Sequence, residues 1–147
     1  MNVSFSGGDV GEARTVSVDL FQASAALATP QSAQVFTETL RDLLLAQSPL
    51  KLAREEGDLQ YSGAITGYDM QPVSIQASET AALNRLTMTA SVTYVNTLDP
   101  KKNVEFSVSR FADYDSTQDL VTVEEQLVRE IGGQLAQDIF DRTLGGW

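Results

Sequence analysis

The chain has 147 residues, the size of one ordinary globular domain, and its 42% hydrophobic content is enough to build one continuous core. Ten Lys+Arg against 20 Asp+Glu leave a net charge of −10, which repels a phosphate backbone and an anionic membrane surface, so nucleic acid is set aside as a partner. With no cysteine and no histidine, thiol nucleophiles, disulfides, thiolate and imidazole metal sites and imidazole bases are all removed.

In chain order, Thr15-Val16-Ser17-Val18-Asp19-Leu20 alternates with Val16, Val18 and Leu20 on one side, which predicts a half-buried strand. Thr29-Pro30 reads as an N-cap followed by proline in the first helical turn, and Phe36, Leu40, Leu43, Leu44 and Gln47 recur at helical spacing. A helix over residues 30–47, stopped by Pro49, is predicted. Leu50 and Leu52 then begin a short strand ahead of the turn Glu55-Glu56-Gly57-Asp58.

Leu59, Tyr61, Gly63, Ile65 and Gly67 mark one face of a longer strand, which Gly67 and Pro72 are expected to bend or bulge. The clearest amphipathic strand follows, with Leu86, Met88, Ala90, Val92 and Tyr94 alternating with threonines and serine. Residues 96–103 have turn composition, and Val104, Phe106 and Val108 resume the alternation, so an antiparallel hairpin is predicted. Thr122-Val123-Glu124-Glu125 fits a capping box, and Val123, Leu127, Val128, Ile131, Leu135, Ile139 and Phe140 recur every three or four residues. A second helix over 122–144 is predicted, with Gly132-Gly133 allowing a kink or close approach to the sheet. The fold class is then α+β, an α/β sandwich with two helices on one face of a mostly antiparallel sheet of about four strands. No apolar run reaches the ~18 residues that a membrane-spanning helix requires.

Four residue patterns invite a chemical reading. Asp113-Tyr114-Asp115-Ser116-Thr117-Gln118-Asp119, with Glu124 in twelfth place, imitates a calcium loop, but Gln118 stands where the sharp turn needs glycine and a strand precedes it instead of a helix. No metal site is expected. Ser48-Pro49-Leu50-Lys51 has the Ser-x-x-Lys spacing, yet Pro49 prevents the helical turn that would bring amine to hydroxyl. Glu55, Glu56 and Asp58 lie in a surface turn without the burial that separates catalytic pKa values. Lys101 and Lys102 are one of the few positive clusters in an acidic chain and sit at the predicted hairpin tip, where they solubilise the turn or contact phosphate or another anion. Arg85 and Arg110 read as strand-end or rim charges. No catalytic residue and no cofactor emerge.

Several stretches, in fixed order, carry a likeness. Ser4-Phe5-Ser6-Gly7, Thr37-Glu38-Thr39-Leu40, Gly67-Tyr68, Glu79-Thr80-Ala81-Ala82-Leu83-Asn84-Arg85-Leu86-Thr87, Phe111-Ala112-Asp113-Tyr114-Asp115 and Asp138-Ile139-Phe140 resemble LptE-like lipoproteins of Bacteroidetes-type bacteria. The resemblance runs over nearly the whole chain, and residues 79–87 are its most specific piece. It implies one domain over 1–147, with residues 1–13 a flexible segment following a removed lipid-anchor site. It also implies a non-catalytic lipoprotein of the outer membrane, anchored by lipid and facing the periplasm. Such a protein plugs the LptD β-barrel and assists insertion of lipopolysaccharide, with LptD as partner and lipopolysaccharide as a further contact. Two other classes stay open at this point: a pilot or adaptor lipoprotein for another outer-membrane barrel, and a metal-dependent periplasmic hydrolase using Asp113, Asp115 and Asp119.

Overall fold

The structure, a computed structural model, describes residues 10–73 and 82–145. Ser4-Phe5-Ser6-Gly7, Glu79-Thr80-Ala81 and residues 1–9 of the expected leading segment lie outside the described residues. Residues 10–13 form a turn closed by the Ala13 amide on the Val10 carbonyl, and Ala13 is buried.

The elements in order are β1 (Thr15–Val18), β2 (Gln22–Ala23), α1 (Pro30–Ala46), β3 (Lys51–Leu52), β4 (Leu59–Pro72), β5 (Leu83–Asn96), β6 (Val104–Asp115) and α2 (Leu120–Leu144), with a 3-10 turn at Pro100–Lys102. The sheet runs β3-β1-β4-β5-β6, and β2 also pairs with β4. The α+β sandwich is present, with both helices packed on one face. Among the described residues the sheet has six strands where about four are expected, and it is mixed: β1, β2 and β3 pair in parallel, while β4, β5 and β6 form the antiparallel half. The short strand expected at Leu50 and Leu52 is β3; the strand not expected is β2, whose two residues are too few to show a period of two.

Helix α1 starts as its sequence predicts. The Thr29 hydroxyl accepts from the Ser32 amide, the Ser32 hydroxyl accepts from the Thr29 amide, and Pro30 follows. Helix α2 departs from expectation. It starts at Leu120 with Asp119 at the N-cap, so Thr122 does not form a capping box with Glu125. Glu124 accepts a hydrogen bond from the Tyr68 hydroxyl of β4. Burial, reinforced by that bond, keeps the Tyr68 phenol protonated far above its ordinary range.

Because β2 and β6 finish at the same end of the sheet, the two helices both start there and run back in parallel. Gln31 contacts Glu125 near their starts, and Gln47 and Gln137 exchange amide hydrogen bonds of 3.0 and 3.3 Å farther along. Gly132 lies between the helices, where an added Cβ would meet Phe36 at 3.5 Å, so its close neighbour is α1 and not the sheet.

The core places Phe36, Leu40 and Leu44 of α1 and Leu127, Val128, Ile131, Leu135, Ile139 and Phe140 of α2 against Leu86, Met88, Ala90, Val92 and Tyr94 of β5. Two expectations shift. Leu20 is 59% exposed, because β1 ends at Val18, and Phe21 is buried in its stead, edge-to-face on Phe36 with centroids 5.0 Å apart. Gly63 makes room for that ring: a Cβ there would lie 1.9 Å from the Ser91 carbonyl oxygen and 2.8 Å from Phe21. The register of β4 on β5 shifts between Ile65 and Gly67, a bulge that turns Tyr68 into the core and Gly67 outward beside Thr89.

Candidate functional site

The hairpin between β5 and β6 is built by two asparagines. The Asn96 side-chain oxygen accepts from the amides of Leu98 and Asp99 at 3.0 and 2.9 Å, and that of Asn103 accepts from the Asn96 amide at 2.7 Å. The 3-10 turn then closes with the Lys102 amide on Asp99 and the Asn103 amide on Pro100. These bonds give a tip of defined shape that presents Lys101 and Lys102 to solvent beside Leu98, which is 53% exposed. Leu98 and the two asparagines escaped the sequence reading, although Asn at each end of a Pro-containing turn is a usable signal for side-chain closure of a loop.

The tip is tied to the rest of the sheet through Asp58. Its carbonyl accepts both the amide and the hydroxyl of Thr97, and its carboxylate accepts the amides of Arg14 and Thr15. The Arg14 amide in particular holds the Asp58 carboxyl below the usual carboxylate range, against a smaller opposing effect of desolvation. A shallow cleft of about 240 Å³ runs beside the tip, lined by Val10, Gly11, Glu12, Asn96, Leu98, Asp99 and Lys102. Glu12 and Asp99 flank Lys102 there, so the cationic surface is confined to the outermost part of the tip.

Among the described residues the ion pairs are Arg85–Asp113, Arg110–Asp138 and Arg129–Glu125. Lys101 and Lys102 join none of them. Arg85, near the start of β5, forks onto Asp113 at 2.8 and 3.2 Å and stacks 3.9 Å over Phe111. Arg110 lies on the edge strand as a rim charge would, but it turns toward α2 and grips Asp138 at 2.7 and 2.8 Å.

The structure does not bring the other candidate residues together. Asp113 is committed to Arg85, and Asp115 accepts the amide and hydroxyl of Thr117 at 2.8 Å, which lowers its pKa. No group of three carboxylates that could hold a metal ion occurs among the described residues. The Ser48 hydroxyl donates to the Leu44 carbonyl, and Lys51 lies in β3. Glu55 and Glu56 line an open cleft of about 270 Å³ with Asp19 and Gln60. A larger cleft of about 450 Å³ lies at the opposite end of the molecule, between the starts of α1 and α2, and is lined by Thr29, Gln31, Ser32, Glu124 and Glu125 among others. No nucleophile paired with a base occurs in it. Among the described residues no helix is long and apolar enough to cross a membrane.

No curated protein matches the sequence. Solved structures share the fold. A minor lipoprotein from Acinetobacter baumannii superposes with a TM-score of 0.55 at 15% identity, covering 88% of this chain and 91% of its own. Rare lipoprotein B from Shewanella oneidensis gives 0.54 at 15% identity, with coverages of 86% and 90%. An uncharacterized lipoprotein B from Nitrosomonas europaea gives 0.55 at 12% identity, with coverages of 95% and 88%. The family model for lipopolysaccharide assembly, LptE, matches residues 13–143, from the buried Ala13 to the last turn of α2. The chain therefore belongs to the LptE lipopolysaccharide-assembly family, whose members are non-catalytic lipoproteins.

Proposed function

We propose that this chain acts as the lipoprotein partner of an LptD-type outer-membrane β-barrel, seated in the barrel as a plug and assisting delivery of lipopolysaccharide to the cell surface. It works by binding, anchored by lipid to the outer membrane and facing the periplasm. The observation that carries the reading is the hairpin tip: two exposed lysines outside the ion pairs of the described residues, held by a closed turn on an otherwise acidic protein. A cationic tip of defined shape suits the phosphates of lipopolysaccharide or acidic groups of a barrel lumen. The exposed Leu98 beside it adds an apolar contact.

The test is isolation of the full-length, lipidated protein from native membranes, with its barrel identified by mass spectrometry. Co-isolation of an LptD-type barrel, weakened in a salt-dependent way by Lys101→Glu with Lys102→Glu, is the expected result. Recovery of a different barrel would make the chain an adaptor for that protein and overturn the proposal.

A further inference from the structure

Strand β6 is the long edge of the sheet. Its backbone groups divide into two sets, and one bond shows which set is which. The Ser116 amide donates to the Ala82 carbonyl, one step beyond the pairing of Leu83 with Asp115. Bonded and non-bonded pairs alternate along an antiparallel ladder, so the even-numbered residues from Val104 to Tyr114 turn their N–H and C=O groups toward β5. The Val73 amide on the Leu83 carbonyl gives the same parity from the other side of β5. Glu105, Ser107, Ser109, Phe111 and Asp113 therefore turn their backbone groups outward, and among the described residues these groups meet no partner.

Apart from the charges of Glu105, Asp113 and Asp115, the usual devices that blunt such an edge are missing. β6 has 12 residues, no proline and no lysine, and its register with β5 is unbroken from Val104 to Asp115. Arg110, the charged residue in the row that faces α2, is neutralised by Asp138. At the opposite edge β3 has only two residues. Along β6 the half-buried Val104, Phe106 and Val108 already pack against the core and leave a flank for further apolar side chains, while Ser107 and Ser109 face the helix-free side.

We propose that the free edge of β6 takes up an extended strand from another protein, one with apolar residues on the α2 side, small polar residues on the other, and basic residues opposite Glu105 and Asp115. Backbone bonds supply the affinity and the alternating side chains the selectivity. Charge selects a foreign strand over a second copy. The two antiparallel self-pairings that use almost the whole strand and keep the faces matched centre on Ser109 and on Arg110. The first sets Glu105 against Asp113, and the second sets Glu105 against Asp115 and Arg110 against itself. Two chains of net charge −10 also repel each other, whereas a basic strand is attracted.

The probe is a synthetic peptide of alternating valine and threonine, as long as β6 and carrying lysine at both ends, added to the full chain while amide exchange is followed residue by residue. Binding is expected to slow exchange at Ser107, Ser109 and Phe111 by about tenfold or more, with Phe106 and Val108 already protected by β5. Ser109→Pro removes an outward N–H without touching the β5 ladder and should abolish the protection. Should that variant fail to fold, Glu105→Lys serves instead: it should weaken the lysine-ended peptide and strengthen a glutamate-ended one. Peptide addition that leaves the three amides unchanged would overturn the inference. So would slow exchange in the dilute free chain, which places the chain's own residues on the edge, or protection that rises with protein concentration, which indicates a second copy. Because the readout is a peptide on β6, it stands or falls independently of which barrel the membrane isolation recovers.

Discussion

Asp58 and Thr15 hold each other reciprocally: the Asp58 amide donates to the Thr15 hydroxyl at 2.9 Å, and the Asp58 carboxylate accepts from the Thr15 amide at 3.3 Å. With the Arg14 amide on the same carboxylate and Thr97 on the Asp58 carbonyl, one residue joins the start of β1, the start of β4 and the base of the hairpin tip.

The first prediction concerns pH. The Asp58 pKa is lowered in the fold, chiefly by the Arg14 amide, so the carboxylate contributes stability above its unfolded pKa. That contribution is lost as pH falls below the ordinary value of 3.8 and through the lowered one. Asp58→Ala should lower the melting temperature at neutral pH, and the gap to the parent chain should narrow in strong acid. A gap that stays constant from neutral pH into acid below the ordinary value of 3.8 would contradict the assignment.

Two glycines should respond in opposite directions. Gly133 has open space where a Cβ would stand, so Gly133→Ala should stabilise α2 by about 1 kcal/mol through helix propensity. Gly63→Ala drives a Cβ into the Ser91 carbonyl and the Phe21 ring and should destabilise the fold. Denaturant melts of both variants decide the matter, and similar midpoints for the pair would refute it.

The core prediction rests on Phe36 and Leu127. Phe36 is fully buried between Phe21 and Gly132, so Phe36→Ala should lose about 3–5 kcal/mol. Leu127→Asp should unfold the chain by burying an unpaired charge, and a normally melting variant would show that this face of α2 is not core.

Millimolar calcium or magnesium should leave the melting temperature unchanged, since Asp113 and Asp115 are each engaged elsewhere. A ligand at a hundred times its dissociation constant would add about 2.7 kcal/mol. A clear rise abolished by Asp115→Ala would restore the calcium loop.

Legibility in the sequence followed the length of the periodic run. β5 shows six buried residues at every second position, five of them the hydrophobic run from Leu86 to Tyr94, and Thr29 with Pro30 marks the start of α1. The two-residue strand β2 has no periodicity to show, and its parallel pairing with Ala64 and Ile65 depends on the distant β4. The phase of β4 beyond Ile65 was lost because one bulged residue moves every later side chain to the other face, exchanging Gly67 for Tyr68. At α2 the capping pattern at Thr122 is not used, because the helix starts two residues earlier with Asp119 at its N-cap and Glu125 is turned to Gln31 and Arg129. The hairpin tip was readable from turn composition and adjacent lysines. The two asparagines at the ends of that turn signal a side-chain closure, but which amides each accepts depends on which way the side chains turn.

The most direct measurement places a photo-crosslinking residue at Lys101 of the full-length lipidated protein in living cells, with the exposed Arg129 on α2 as the comparison site. Among the described residues Lys101 joins no ion pair and Arg129 makes only an exposed pair with Glu125, so replacing either side chain should cost the fold little. Crosslinks from position 101 to an LptD-type barrel or to lipopolysaccharide, absent or much weaker from position 129, are the predicted result. Equal crosslinking from both positions, or none from position 101, would contradict the assignment of the hairpin tip as the contact surface.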